Sequence, residues 1–324
     1  MKSMKEKNHL GDKSIALSLA VVTYNRSDCV FERFLDALYT VVCGSVKPDE
    51  IIVINNDDAQ YETTLKSKIE CARKVWQEKA EVESISVMDW PEVVVRTSSE
   101  KNLAVARNLA LDTARAPLLV MIDDDQKVES GWLAELVTCL EQYNADVVAG
   151  PVYCEYPSSA PLWLQRTDIH NTRGHATGDR LYGITAGNSL IKLSSIDGFR
   201  FDFQFGRSGG EDTDFFKRLH ESGRSIIWCK EAASVEWIST DRAKAGYAIR
   251  RFLDQGQTYR HIFLSDATAG KMLVFYARSA LQGSVAGLIA ILFILLRRPS
   301  SGDWVKRCFN NLGKLGQKQS NEYS

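Results

Sequence analysis

Two carboxylate clusters carry most of the chemistry legible in this chain. The first is Asp123-Asp124-Asp125, placed directly after the apolar run Leu118 to Ile122. A short apolar run of this kind reads as a buried strand, and acids at its carboxyl end stand where open α/β sheets bind ligands. Asp123 and Asp125 are two residues apart, so a turn can aim both at a divalent cation whose remaining ligands are phosphate oxygens. A solvated turn would use the same residues, because aspartate is a common turn former. The second cluster is Gly209-Gly210-Glu211-Asp212-Thr213-Asp214, in which two glycines lead into acids and the acids into a helical pattern. Acids in a first helical turn are stabilised by the helix dipole; a carboxylate held there can also serve as a general base. Arg107, in Ala104-Val105-Ala106-Arg107-Asn108, lies one helix before the first cluster. It reads either as a surface arginine or as a charge clamp on a phosphate.

The elements that must position these groups alternate. Strand-like segments at Ile15–Val22, Glu50–Ile54, Glu92–Val95, Leu118–Ile122 and Asp146–Ala149 are separated by helical spacing at Cys29–Cys43, Thr63–Ala80, Asn102–Thr113 and Trp132–Tyr143. Such alternation implies an α/β fold with a mainly parallel sheet and helices on both faces. The stretch Pro151–Gly183 is irregular, as substrate loops often are. Order resumes at Gly187-Asn188-Ser189-Leu190-Ile191, and Phe215–Glu221 reads as a helix ending at Gly223.

Composition narrows the class. The 324 residues are 44% hydrophobic and 25% charged, with a formal net charge of −1, which is ordinary globular composition and does not suggest a nucleic-acid partner. Charge is uneven: from Lys271 onward, eight basic residues face only Asp303 and Glu322. Seven scattered cysteines without CxxC spacing argue against a zinc site or disulfide framework and for a reducing cytosol. Residues 1–13 are a polar tail, and no small-residue cleavage site follows Ile15–Val22, so that run reads as a first strand rather than a leader. Met272–Leu296 is largely apolar and closes on Arg297-Arg298. It is expected to lie on or dip into a membrane more readily than to cross it or to form a core helix.

With these motifs in order, the chain resembles the family 2 inverting glycosyltransferases of the GT-A fold, over about Ile15 to Arg260. Ala20-Val21-Val22-Thr23-Tyr24-Asn25-Arg26 resembles the family's first strand and nucleotide loop, and Glu50 to Asn56 its second strand. Asn102 to Asn108 resembles the helix before the metal motif; Asp123-Asp124-Asp125 matches the DxD motif, and Gly210-Glu211-Asp212-Thr213-Asp214 the ED motif. The resemblance implies that Thr23, Tyr24, Asn25 and Arg26 line the nucleotide, with Asn55 near its base. It implies that Arg107, Asp123 and Asp124 face the donor, that Asp125 with Asp123 binds Mn²⁺ or Mg²⁺, and that Asp212 is the catalytic base with Glu211 beside it near the acceptor. Ala186 to Ser189 resembles the acceptor-side strand. A GT-A domain over 14–262 and a membrane-associating region over 263–324 are expected.

The sequence departs from the family's pattern in three places. Asn55 stands where an aspartate is frequent, which loosens the expectation of uracil. Val235-Glu236-Trp237 stands where a metal-contacting histidine is frequent, leaving Glu236 as an oxygen substitute. Gln257-Thr258-Tyr259-Arg260-His261 lacks the tryptophan of the processive QxxRW motif, which favours single additions. Asp241-Arg242 through Tyr259 resembles bacterial exopolysaccharide glycosyltransferases of the succinoglycan type, which act on lipid-linked saccharide acceptors at the cytoplasmic face of the inner membrane. Two other readings compete: a catalytically silent nucleotide-sugar-binding scaffold, and an aspartate-dependent phosphotransferase. The latter wants Ser or Thr soon after DxD, where Gln126-Lys127-Val128 stands.

Overall fold

The computed structural model describes residues 16–24, 28–85, 90–265 and 267–316. Asn25 and Arg26 lie outside the described residues. Ten strands and nine α-helices follow one another among those described. They are β1 (Leu17–Thr23), α1 (Asp28–Val42), β2 (Glu50–Asn55), α2 (Tyr61–Val82), β3 (Glu92–Thr97), α3 (Leu103–Thr113), β4 (Leu118–Asp123), β5 (Gln126–Val128), α4 (Trp132–Gln142), β6 (Val147–Ala149), β7 (Val152–Glu155), α5 (Leu162–Gln165), β8 (Asn188–Lys192), α6 (Glu211–Glu221), β9 (Ile226–Trp228), β10 (Ser234–Trp237), α7 (Ala245–Leu264), α8 (Ala269–Leu295) and α9 (Ser301–Gly313).

Seven strands form one sheet in the order β3-β2-β1-β4-β8-β6-β9. Its β3-β2-β1-β4 half is parallel, as the alternating pattern requires; β8 runs antiparallel to both β4 and β6. Alternate strand residues face opposite layers. Leu17, Leu19 and Val21 pack with Phe34, Leu38 and Trp76 on one face. Ala20, Ile52 and Met121 pack with Ala106, Ala110 and Phe215 on the other. The parallel register aligns Thr23 with Asn55 and Asn55 with Thr97, and sets Asp123 beside Val22. The carboxyl ends of four strands therefore share one edge of the sheet, where the order turns from β1 to β4.

A second, three-stranded sheet, β5-β10-β7, lies outside the first. Its central strand places Glu236 opposite Gln126 on one side and Cys154 on the other. The stretch read as irregular from Pro151 to Gly183 thus contains β7 and α5. A third core cluster joins this region to the C-terminal helices: Leu164, Ile169 and Ile238 pack with Phe252, Ala290 and Val305. The expected boundary at 262/263 falls in the last turn of α7, and residues on both sides of it share that cluster.

Candidate active site

Local sequence explains how each acid is aimed. α3 starts where Asn102 accepts hydrogen bonds from the backbone N–H groups of Ala104 and Val105 at 3.0 and 3.3 Å, a side-chain N-cap. Its Nδ2 also donates to the Phe203 carbonyl at 2.9 Å. That start puts Arg107 one turn in, on the sheet side, where it is buried. α6 starts at Gly210, whose φ of 104° is the left-handed conformation glycine adopts without penalty. Glu211, Asp212 and Asp214 then occupy its first turn, where the dipole favours negative charge. Gly187 meets the end of β4 closely: a Cβ there would come within 2.0 Å of Asp123 Oδ2.

The two acidic clusters converge on Arg107. Its guanidinium pairs with the buried Glu211 and approaches Asp123 Oδ1 at 3.7 Å; it also lies 5.7 Å from the Phe201 ring centroid. Burial raises the Glu211 pKa to about 7 against the attraction of Arg107, and the negative charges of Asp212 and Asp123 add to the rise. Glu211 thus faces inward. Asp212 is half-buried, and its Oδ1 accepts from the Thr213 N–H at 2.7 Å. The Asp123 carboxylate is 45% exposed.

Asp124 and Asp125 are buried. Asp125 Oδ2 accepts from Arg242 Nη1 at 2.8 Å, and Arg242 Nη2 donates to Glu236 Oε1 at 2.6 Å. His170 Nε2 donates to the second oxygen of Glu236 at 2.6 Å. The Trp237 N–H ties the end of β10 to the Asp125 carbonyl at 2.8 Å. Burial works to raise the pKa of Glu236, but the His170 hydrogen bond and the charges of Arg242 and Arg251 hold it below the ordinary range. Sequence reasoning placed Glu236 near the metal motif but missed His170 and gave Arg242 no role. The available signal was charge balance: two acids brought to adjoining short strands require a cation from nearby chain.

Ligand-capable atoms of Cys154, His170 and Glu236 lie within 4.8 Å of one another. Glu236 is already used by both Arg242 and His170. Burial pushes the Cys154 thiol up to about 12, whereas a metal would need its thiolate. The trio is better described as a His170–Glu236 hydrogen-bonded pair with Cys154 beside it than as a metal centre. At the end of β4, Asp123 and Asp125 offer the hard carboxylate oxygens that Mn²⁺ or Mg²⁺ takes; the Asp123 carboxylate is the open one, whereas Asp125 would have to share its carboxylate between the cation and Arg242.

Thr23 is buried, and Tyr24 is exposed at the end of β1. Asn55 is buried, and its amide shapes the following turn: Nδ2 donates to the Asp58 carbonyl at 3.0 Å and Oδ1 accepts from the Asp57 N–H at 3.1 Å.

A mostly parallel sheet in this order, with acids at the end of β4 and the start of α6 meeting over one arginine, defines an α/β architecture with its polar site at the carboxyl ends of the strands. The chain belongs to glycosyl transferase family 2, whose model matches residues 18–199, and its fold is GT-A-like. It is 34% identical over 197 residues to succinoglycan biosynthesis protein ExoM of Rhizobium meliloti (strain 1021), a match covering 60% of this chain and 62% of that protein. It is 21% identical over 252 residues to probable polypeptide N-acetylgalactosaminyltransferase 8 of Homo sapiens, covering 68% of this chain and 36% of that protein. The crystal structure of GalNAc-T7 with UDP, GalNAc and Mn²⁺ superposes with a TM-score of 0.49 at 13% identity, covering 76% of this chain and 48% of that one. The matches thus span less than two thirds of each relative's length.

Proposed function

We propose that this glycosyltransferase moves one sugar from a nucleotide-sugar donor, most simply a UDP-sugar, to a saccharide acceptor with inversion. The observation that carries the reading is the meeting of Asp123, Arg107 and the first turn of α6. Asp212 takes the proton from an acceptor hydroxyl. That oxygen forms the new bond to the anomeric carbon as the bond to the nucleotide diphosphate breaks on the opposite face. Arg107 offers positive charge toward the departing diphosphate, while Glu211 acts through Arg107 by holding the guanidinium in place. Thr23 and Tyr24 line the nucleotide side of the sheet edge, with the buried Asp124 between the two donor-side acids. Mn²⁺ or Mg²⁺ would be held by Asp123 and Asp125, and when bound it supplies Lewis-acid charge to the diphosphate. Asp212→Asn is expected to lower kcat by about 10²–10⁴-fold, the usual contribution of a positioned base, with donor binding retained. Transfer at the wild-type rate would remove Asp212 from the reaction.

The acceptor is proposed to be a lipid-linked saccharide of exopolysaccharide synthesis, met at the cytoplasmic face of the inner membrane. α8 supports this. Its 27 residues make a helix roughly 40 Å long. Leu273, Leu281, Leu288, Ile291 and Leu295 are exposed along it, whereas Ser279, Gly283, Ala286 and Ala290 form the buried stripe. The stripe faces α9, with Gly283 and Gly287 against Cys308. α9 in turn is tied by Lys306 and Asp303 to the catalytic body. A membrane-crossing α8 would draw those polar side chains into hydrocarbon, which is costly. An in-plane helix instead buries the exposed apolar face at the interface and leaves Arg278, Arg297 and Arg298 for anionic headgroups. Flotation with phosphatidylglycerol vesicles should exceed that with phosphatidylcholine vesicles, and Leu288→Glu/Ile291→Glu should abolish it. Unchanged flotation would sink the in-plane arrangement.

A further inference from the structure

α9 does more than cover α8. Its Asp303 accepts from the Asp168 N–H at 3.1 Å and from Arg173 Nη1 at 3.1 Å. One turn later, Lys306 is buried, and its ammonium group donates to the Asp168 carbonyl at 2.6 Å, the Ile169 carbonyl at 3.1 Å and Asn171 Oδ1 at 2.8 Å. An ammonium has three donors, and here all three are spent on one short loop. The loop turns sharply, with Asn171 at φ 56°, a conformation that costs a non-glycine residue energy unless its surroundings hold it. α9 approaches closely at its first turn as well: a Cβ on Gly302 would fall 1.9 Å from Thr167 Oγ1. In the middle of the clamped loop stands His170, whose Nε2 meets Glu236.

We propose that Lys306 is a positioning residue for sugar transfer, holding the 168–171 loop so that His170 fixes Glu236, and Glu236 fixes Arg242 against Asp125. The link is continuous: Lys306 to the Ile169 and Asp168 carbonyls, His170 to Glu236, Glu236 to Arg242, Arg242 to Asp125. Lys306 touches none of the acids at the end of β4. It lies outside the region matched by the family model, so the C-terminal helical layer contributes to the geometry of a site built mostly by the first 240 residues. Burial lowers the Lys306 pKa to about 8, offset by the charges of Asp168 and Asp303. The proposal rests on the transfer reading only in that Asp125 belongs to the donor side.

The test uses the full chain and two readouts. The first is the side-chain ¹⁵N–¹H correlation of His170 without any ligand, which reports its hydrogen bond to Glu236. The second is the Kd for UDP with Mn²⁺, measured by calorimetry. Lys306→Met should move the His170 Nε2–H resonance toward that of a solvent-exposed imidazole. It should also weaken UDP–Mn²⁺ binding by about tenfold, the low end for losing a group that orients a ligand-holding residue. Lys306→Arg, which keeps donors and charge, should recover part of both. Arg307→Met, one residue along and exposed, should change neither. Asn171→Gly tolerates the same backbone conformation while deleting one acceptor, and should shift both readouts in the same direction by less. It decides the matter if Lys306→Met does not fold. A lowered Tm with His170 and UDP binding both at wild-type values would reduce Lys306 to a staple and overturn the proposal. The His170 signal is independent of turnover, so it separates failure here from failure of the Asp212 reading.

Discussion

Two arginines flank the end of β4, Arg107 buried and Arg242 half-buried, and they do the same thing with different neighbours. Arg107 joins Asp123 to Glu211; Arg242 joins Asp125 to Glu236. Arg107 sits within helix α3, whose start is capped by Asn102 and whose apolar side is part of the main core. Arg242 sits in the turn between β10 and α7. Glu211 has Arg107 as its cation and sees Asp123 and Asp212 as like charges, so burial wins and its pKa rises. Glu236 has the His170 hydrogen bond and the charges of Arg242 and Arg251 around it, so these outweigh burial and its pKa falls. The number of cations per buried acid decides the sign, since both glutamates are almost equally enclosed. The first node is poised between protonation states, whereas the second is locked in one.

Removing each arginine gives the largest test of that contrast. Arg107→Met leaves Glu211 buried beside Asp212 and Asp123 without its Arg107 partner. Stability should fall by about 3–5 kcal/mol, the usual cost of breaking a buried pair from one side, read as a lowered Tm. Adding Glu211→Gln to that variant should return much of the loss, because it removes the buried carboxyl, which without Arg107 must take up a proton. Arg242→Met should cost less, about 2 kcal/mol. Its side chain is 22% exposed against 8% for Arg107, and Glu236 keeps the His170 hydrogen bond. Equal losses, or a greater loss at Arg242, would break the contrast.

All three members of the first node were singled out in sequence, whereas in the second only Asp125 and Glu236 were, and Arg242 and His170 were not, for a physical reason. β1, β2 and β4 are continuous apolar runs, and α3 and α6 carry start signals at Asn102 and Gly210, so Arg107, Asp123 and Glu211 could be located from local pattern. β5, β7 and β10 are three or four residues long, too short for alternation to show. Their pairing joins Gln126, Cys154 and Glu236, which lie far apart in the chain. His170 and Arg242 sit in loops, where residue type does not fix direction. The reversal of β8 is likewise a property of pairing, invisible in Asn188–Lys192. Asn55 shows the complementary limit: its position at the end of β2 was readable, but not that its amide is used by the Asp57–Asp58 turn.

The pH dependence of stability offers the finest discrimination, with slopes of opposite sign and no more than about 1.4 kcal/mol per pH unit for each group. For Glu211 the pKa rises from an ordinary 4.5 to about 7 in the folded chain. Between those values the folded state keeps a proton that the unfolded chain has released, so stability falls as pH climbs through the window. For Glu236 the folded pKa is depressed. Below the ordinary glutamate range the unfolded chain takes up a proton that the folded state refuses, so its contribution is present above that range and lost as pH falls. Glu211→Gln should therefore flatten the decline of Tm between about pH 5 and 7 while leaving the acid limb intact. Glu236→Gln should flatten the acid limb and leave the neutral decline. If both variants flatten the same limb, the two glutamates share one electrostatic environment, and the division of the β4 end into a poised node and a locked one fails.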